Sequence, residues 1–239
     1  MIVIDTGTQS AEENMRLDAD LLERADTLHQ PVLRFYEWAA ESATYGYFTD
    51  PAQLLNLEVA SALSLHLARR PTGGGIVFHL WDMAFSVIVP ASCPEFSMHT
   101  LENYAFVNNA VLAAVSDFFE ETPPLTLTLE DYSAWDKNCS HFCMAKPTKY
   151  DVMWEGKKVA GAAQRKTRKG FLHQGTLALV MPPSEYLDQI LLPSSQVKEA
   201  MLAHTCPLLG RSATQEQISA AKQRLRALLT THLTCLPLS

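Results

Sequence analysis

Three consecutive glycines, Gly73, Gly74 and Gly75, stand between the Arg69-Arg70 pair and the β-branched Ile76-Val77 in the stretch RRPTGGGIVFH. Glycine enters left-handed backbone conformations freely and weakens any helix or strand that contains it, so regular structure must stop here and restart at Ile76. A tight turn between two strands satisfies that demand. So does a loop whose N–H groups hold an anion, and the adjacent guanidinium groups favour a phosphate or carboxylate.

Around this break the chain alternates short β-rich runs with helical ones. Residues 11–28 carry Met15, Leu17, Leu21, Leu22 and Leu28 near helical spacing, and residues 32–38, VLRFYEW, suit a strand packed on both faces. TYGYF follows as a loop, and Asp50 before Pro51 caps a short helix through AQLLNLEVASAL, after which SLHLA is extended. IVFHL and MAFSVIVP, joined at Trp81 and Asp82, read as a hairpin feeding a central strand. Residues 99–119 run without a breaker as the clearest long helix. TPPLTLTLED, YDVMW, KKVAGAAQR and FLHQGTLALVMP add four strands, and three helical segments follow Pro183. With no repeat or flexible linker, the pattern predicts one compact α+β unit in which residues 184–239 form a helical extension packed on residues 1–183.

Composition narrows the function classes. At 239 residues and 47% hydrophobic the chain can bury a sizeable core, and a net charge of -7 gives no global attraction to nucleic acid or an anionic membrane. No apolar run reaches membrane-spanning length and the N-terminus lacks a basic region followed by an apolar one, so a cytoplasmic protein is expected. Five scattered cysteines, Cys93, Cys139, Cys143, Cys206 and Cys235, read as free thiols. The grouping of Cys139, His141 and Cys143 fits no common zinc spacing, so no metal site is expected.

A second stretch breaks the acidic average: six Lys or Arg lie between Lys157 and Lys169. Adjacent strand residues point to opposite faces, so of Lys157 and Lys158 one reaches inward while the other stays in solvent. A lysine aimed into a pocket can balance a phosphate or polarise an acyl carbonyl. Lys166, Arg168 and Lys169 read as a solvated or partner-facing hairpin tip.

Together these stretches resemble the lipoate-protein ligase and octanoyltransferase family. RRPTGGGIVFH is similar to its arginine-glycine motif, GKKVAGAAQR followed by HQGTL to its lysine motif and downstream HHGTL, and NMRLDADLL with PVLRFYEW and YGYF to its opening helix and strand. The likeness runs from about Glu13 to Val180. It implies the fold shared with biotin-protein ligases, a mixed β-sheet flanked by helices that holds a lipoyl or octanoyl chain in a tunnel. By position it implies that Lys158 contacts the acyl carbonyl and its leaving group, that Arg70 with Gly73, Gly74 and Gly75 covers the carboxyl and phosphate end, and that Gly161 leaves room for the acyl chain. His79 and His173 match the motif histidines, for which holding a loop is as good a role as catalysis.

The family holds two chemistries. Ligases use ATP and magnesium to make lipoyl-AMP from lipoate, then let a target lysine displace AMP; the intact GGGxVFH resembles these, and ligation is the main expectation. Transferases take octanoyl from acyl carrier protein onto a cysteine, and in one branch that cysteine precedes a proline by four residues and a tyrosine by seven, as Cys143 precedes Pro147 and Tyr150. The segment LWDMAFS after His79 also lacks the ligase asparagine. A non-catalytic homologue that binds an acyl chain or a lipoyl domain is the third reading. The implied acceptors are lipoyl domains of 2-oxoacid dehydrogenases or glycine cleavage H protein, which Arg165, Lys166, Arg168 and Lys169 would steer by rim charge.

Overall fold

The computed structural model describes residues 1–120, 124–128 and 150–235. Its strands are β1 (Ile2–Gln9), β2 (Val32–Trp38), β3 (Ser42–Tyr45), β4 (His66–Arg69), β5 (Ile76–His79), β6 (Asp82–Pro90), β7 (Leu125–Leu127), β8 (Val152–Trp154), β9 (Lys157–Lys166) and β10 (Gly170–Ala178). The helices are α1 (Ala11–Glu23), α2 (Leu57–Ala62), α3 (Thr100–Phe118), α4 (Ser184–Ile190), α5 (Val197–His204) and α6 (Gln215–Thr234). A large sheet runs in the order β1-β2-β6-β10-β9-β8-β7 and a small one in the order β4-β3-β5. Both are mixed: β1 is parallel to β2 and β3 to β4, while β5 and the other large-sheet pairs are antiparallel. The fold is α+β, mixed sheets flanked by helices.

Side-chain alternation divides the large sheet into two faces. Phe85, Val87, Val89, Phe171 and Leu177 share one buried cluster with Val107, Val111, Val115, Leu225 and Leu229 of α3 and α6. The apolar positions of α3 recur at three- and four-residue intervals, which explains its orientation on that face. A Thr214/Gln217 capping box starts α6, and Ser10 accepts from the Glu13 N–H to start α1. The opposite face carries α1 and the small sheet, and the space between the two sheets is where the candidate site lies.

Several elements differ from the sequence reading. The opening strand β1 was not anticipated; it takes its order from parallel pairing with β2 at the sheet edge. Helix α1 ends at Glu23 rather than Leu28, and Asn56 caps a separate α2 where one helix from Pro51 was expected. Thr44 and Tyr45, assigned to a loop, belong to β3. The expected hairpin does not form: β5 pairs with β3 in the small sheet while β6 lies between β2 and β10 in the large one, and Leu80 and Trp81 carry the chain from one sheet to the other. Apolar runs record burial but not the partner strand, and here long-range pairing chose different sheets.

Among the described residues no helix is long and apolar enough to cross a membrane, and no three His, Cys, Asp or Glu side chains are grouped as metal ligands.

Candidate active site

The glycine loop between β4 and β5 is held from below by its own arginine. Arg70 is buried, and its Nη1 donates to Thr44 O and Oγ1 at 2.8 and 2.9 Å while Nη2 donates to Gly73 O and Gly75 O at 3.1 and 2.8 Å. Thr49 Oγ1 donates to Gly74 O at 2.8 Å, and the Tyr47 N–H to Thr72 O at 2.9 Å. The carbonyls of residues 72–75 are thus all engaged. Gly74 has φ +93°, and a Cβ on neighbouring Gly46 would lie 1.8 Å from Gly74 O, so this crossing excludes side chains.

From Thr44 a polar chain crosses between the sheets. His79 Nε2 meets Thr44 Oγ1 at 2.8 Å, His79 Nδ1 meets Asp82 Oδ2 at 2.7 Å, and Thr176 Oγ1 donates to the same Oδ2 at 2.5 Å. Asp82 accepts from the Nδ1–H of His79, and the Thr44 hydroxyl meets the far ring nitrogen. Trp38 stacks on the imidazole with centroids 4.1 Å apart. Burial opposes the charge on Asp82, but the attraction and hydrogen bond of His79, then Lys222 and Thr176, outweigh it and hold the carboxyl below its ordinary value.

A buried ion pair anchors the other wall. Arg34, fully buried on β2, donates to Asp18 Oδ1 at 2.7 Å and Asn14 Oδ1 at 2.6 Å, both on α1. Asp18 also accepts from Ser86 Oγ and from Gln174 Nε2, each at 2.7 Å, and Gln174 Oε1 accepts from Thr72 Oγ1 at 2.7 Å. The run Arg34, Asp18, Gln174, Thr72 therefore ties the sheet centre to the glycine loop.

Between these braces lies a half-open, mostly apolar cavity, lined on the small-sheet side by Thr44, Arg70, Val77 and His79 and on the large-sheet side by Trp38, Gly161, Gln174 and Thr176. A second, half-open cavity shares the Val77 and Thr176 walls and extends past Trp81 and Asp82 to Met201 and Thr205.

The residues singled out from sequence separate on this frame. Arg70, His79 and Gly161 line the first cavity, and Gly73, Gly74 and Gly75 belong to the loop that Arg70 braces. Lys158 is buried and Lys157 exposed, with Lys158 Nζ 2.8 Å from Asp151 Oδ2, three residues along β9 from Gly161. His173 lies on the opposite face of β10, beside Phe85 and Tyr104, with Nδ1 2.8 Å from Gln164 Nε2. Burial pushes its pKa down to about 3, so it is neutral at ordinary pH. Cys143, with Cys139 and His141, lies outside the described residues. Sequence reasoning passed over Trp38, Thr44, Asp82, Gln174 and Thr176. Period-two alternation in HQGTL held the signal, since His173 and Gln174 must face opposite ways.

Comparison with known proteins gives this geometry a setting. The sequence matches the family described as lipoyl protein ligase A/B catalytic domain over residues 10–216. It is 31% identical over 200 residues to octanoyltransferase LipM of Halalkalibacterium halodurans, covering 83% of this chain and 72% of that one, and to LipM of Bacillus subtilis with the same identity and coverage. The fold is similar to that of a bi-partite lipoate protein ligase from Thermoplasma acidophilum, studied with its E2 lipoyl domain, at TM-score 0.65 and 21% identity over 96% of this chain and 83% of that one. Lipoate-protein ligase A bound with ATP aligns at TM-score 0.62 and 20% identity, over 98% and 93% of the two chains.

Proposed function

The chain belongs to the lipoyl protein ligase A/B catalytic-domain family, and from that membership we propose that it moves an octanoyl group from acyl carrier protein to a lysine of a lipoyl domain, through a thioester on Cys143 and without ATP. The observation that carries this reading is the 31% identity, over 83% of the chain, to relatives named octanoyltransferases. The first cavity suits the cargo. Its mostly apolar walls match a chain of methylenes, and Gly161 keeps the β9 wall open.

In the first half-reaction the Cys143 thiolate attacks the donor thioester and the carrier's thiol leaves. In the second, the acceptor amine attacks the new thioester, the Cys143 thiolate leaves, and the proton lost by the amine nitrogen restores the thiol. The cysteine divides one transfer into two easier ones. Lys158 is our candidate for polarising the acyl carbonyl and favouring the thiolate, and Asp151 offsets the cost of burying its ammonium. The His79–Asp82 pair and the Arg70 brace position the loop over the pocket.

The intact glycine triplet favours a second reading, ligation, in which lipoate, ATP and magnesium yield lipoyl-AMP before the lysine displaces AMP. Against it, the segment after His79 lacks the ligase asparagine, and Oδ2 of its Asp82 is held by His79 and Thr176. The acceptor in either case is a lipoyl domain of a 2-oxoacid dehydrogenase or glycine cleavage H protein.

A donor comparison separates the two. Unmodified lipoyl domain is incubated with the protein and either octanoyl-acyl carrier protein or lipoate, ATP and magnesium, using wild type, Cys143→Ala and Lys158→Ala. Octanoylation without ATP that vanishes in Cys143→Ala supports the transferase; ATP-dependent lipoylation indifferent to Cys143 supports the ligase.

A further inference from the structure

The second cavity has a composition that the acyl pocket does not explain. Its walls include Phe78, Trp81, Met181 and Met201, yet two of its residues each carry a buried polar atom with no hydrogen-bond partner among the described residues: Asp82 Oδ1 and Thr205 Oγ1. Both residues are only 7% exposed. The Asp82 carboxylate cannot swing to find a partner, because Oδ2 is held by His79 Nδ1 and Thr176 Oγ1. A buried anionic oxygen requires a donor, and a ligand entering here must supply one.

We propose that this cavity receives the side chain of the acceptor lysine, with its amino group held by Asp82 Oδ1 and Thr205 Oγ1. The inference rests on the lysine-acylating activity proposed above. The apolar walls match the character of a lysine's four methylenes, and the head group donates hydrogen bonds both as ammonium and as amine. A nucleotide phosphate brings only acceptors and like charge against Asp82, and a second acyl chain leaves both polar atoms unmatched. The shared Val77 and Thr176 walls bring amine and acyl group toward each other from two separate cavities.

The test compares two nucleophiles on one acyl-enzyme. Wild type, Asp82→Asn and Thr205→Val are loaded from octanoyl-acyl carrier protein and discharged either with unmodified lipoyl domain or with hydroxylamine, a small neutral amine that needs no lysine channel. The ratio of lysine transfer to hydroxylamine discharge should fall about tenfold or more in Asp82→Asn and by a smaller factor in Thr205→Val, as expected for lost hydrogen bonds to an amino group. An unchanged ratio in Asp82→Asn overturns the proposal. Saturation-transfer NMR with pentylammonium, and 1-pentanol as its neutral counterpart, reads the cavity without catalysis. Pentylammonium should bind wild type and weaken in Asp82→Asn while pentanol does not; equal binding of pentylammonium to both proteins, or none, overturns the assignment. Failure of wild type to load would refute the cysteine route while the NMR result still decides the cavity.

Discussion

Arg70 spends its guanidinium on oxygen atoms of Thr44, Gly73 and Gly75, a forked set of acceptors that an ammonium cannot reproduce. Arg70→Lys should therefore keep the charge and lose the loop. Steady-state rates are expected to fall about a hundredfold, the scale of a misplaced positioning element, whereas activity close to wild type would mean that only charge matters there. His173 makes a different prediction. Its pKa is about 3 in the folded protein against an ordinary 6.5, so the unfolded chain binds the extra proton first and stability falls as pH drops below about 6.5. Between pH 7 and 5 this residue should remove roughly 2 kcal/mol, read as the difference in urea unfolding free energy between wild type and His173→Gln. A pH dependence unaltered in the variant would place a charged imidazole in the fold. At this scale the sequence gives residue types and spacing more readily than the direction in which each side chain points. Arg70 and His79, singled out with the glycine motif, line the first cavity, whereas His173 was selected over Gln174 although only the latter faces it, because a motif gives spacing and the strand's parity decides the face.

Helix α3 was legible because its apolar spacing is periodic and unbroken, and so was the strand that became β9, where alternation put one of Lys157 and Lys158 inward without saying which; the structure buries Lys158. Strand β1 and the split between β5 and β6 were not, since parallel edge pairing and the choice of sheet depend on residues far away in sequence. Glycines mark where these elements touch. A Cβ on Gly175 would lie 2.3 Å from the Phe85 ring, which is itself buried, so Gly175→Ala should cost about 1–3 kcal/mol in chemical unfolding; a neutral change would mean that β10 and β6 can slip apart. Gly161 tests the cavity rather than the fold. Gly161→Val should reduce octanoyl transfer at least tenfold while a butyryl donor loses less, because added methyl groups shorten the space along β9. Equal losses for both donors would remove the acyl chain from this wall.

Across the whole molecule, the two sheets are joined by polar chains at the cavity, Arg34 to Thr72 through Asp18 and Gln174 and Arg70 to Thr176 through Thr44, His79 and Asp82, while α3 and α6 seal the far face with apolar contacts. At the glycine-loop rim, Arg69 and Arg165 lie over Tyr47 at 4.8 and 5.9 Å, next to Phe48, which is 93% exposed. Lys169 is tied to Glu23, so Arg165 and Arg168 are the better steering charges for an acidic acceptor. Replacing both with Gln should raise the acceptor KM several-fold at low salt and little at high salt, and a salt-independent effect would point to contact instead of steering. The family and its cavity could be read from motifs, whereas the choice between ligation and transfer turns on Cys143, whose chemistry must be observed directly. The most direct observation is the intact mass of the protein after incubation with octanoyl-acyl carrier protein in the absence of ATP. A single octanoyl adduct, labile to hydroxylamine, absent from Cys143→Ala and passed to a lipoyl domain on mixing, is the predicted result; an unmodified mass together with ATP-dependent lipoylation of the same domain would contradict it.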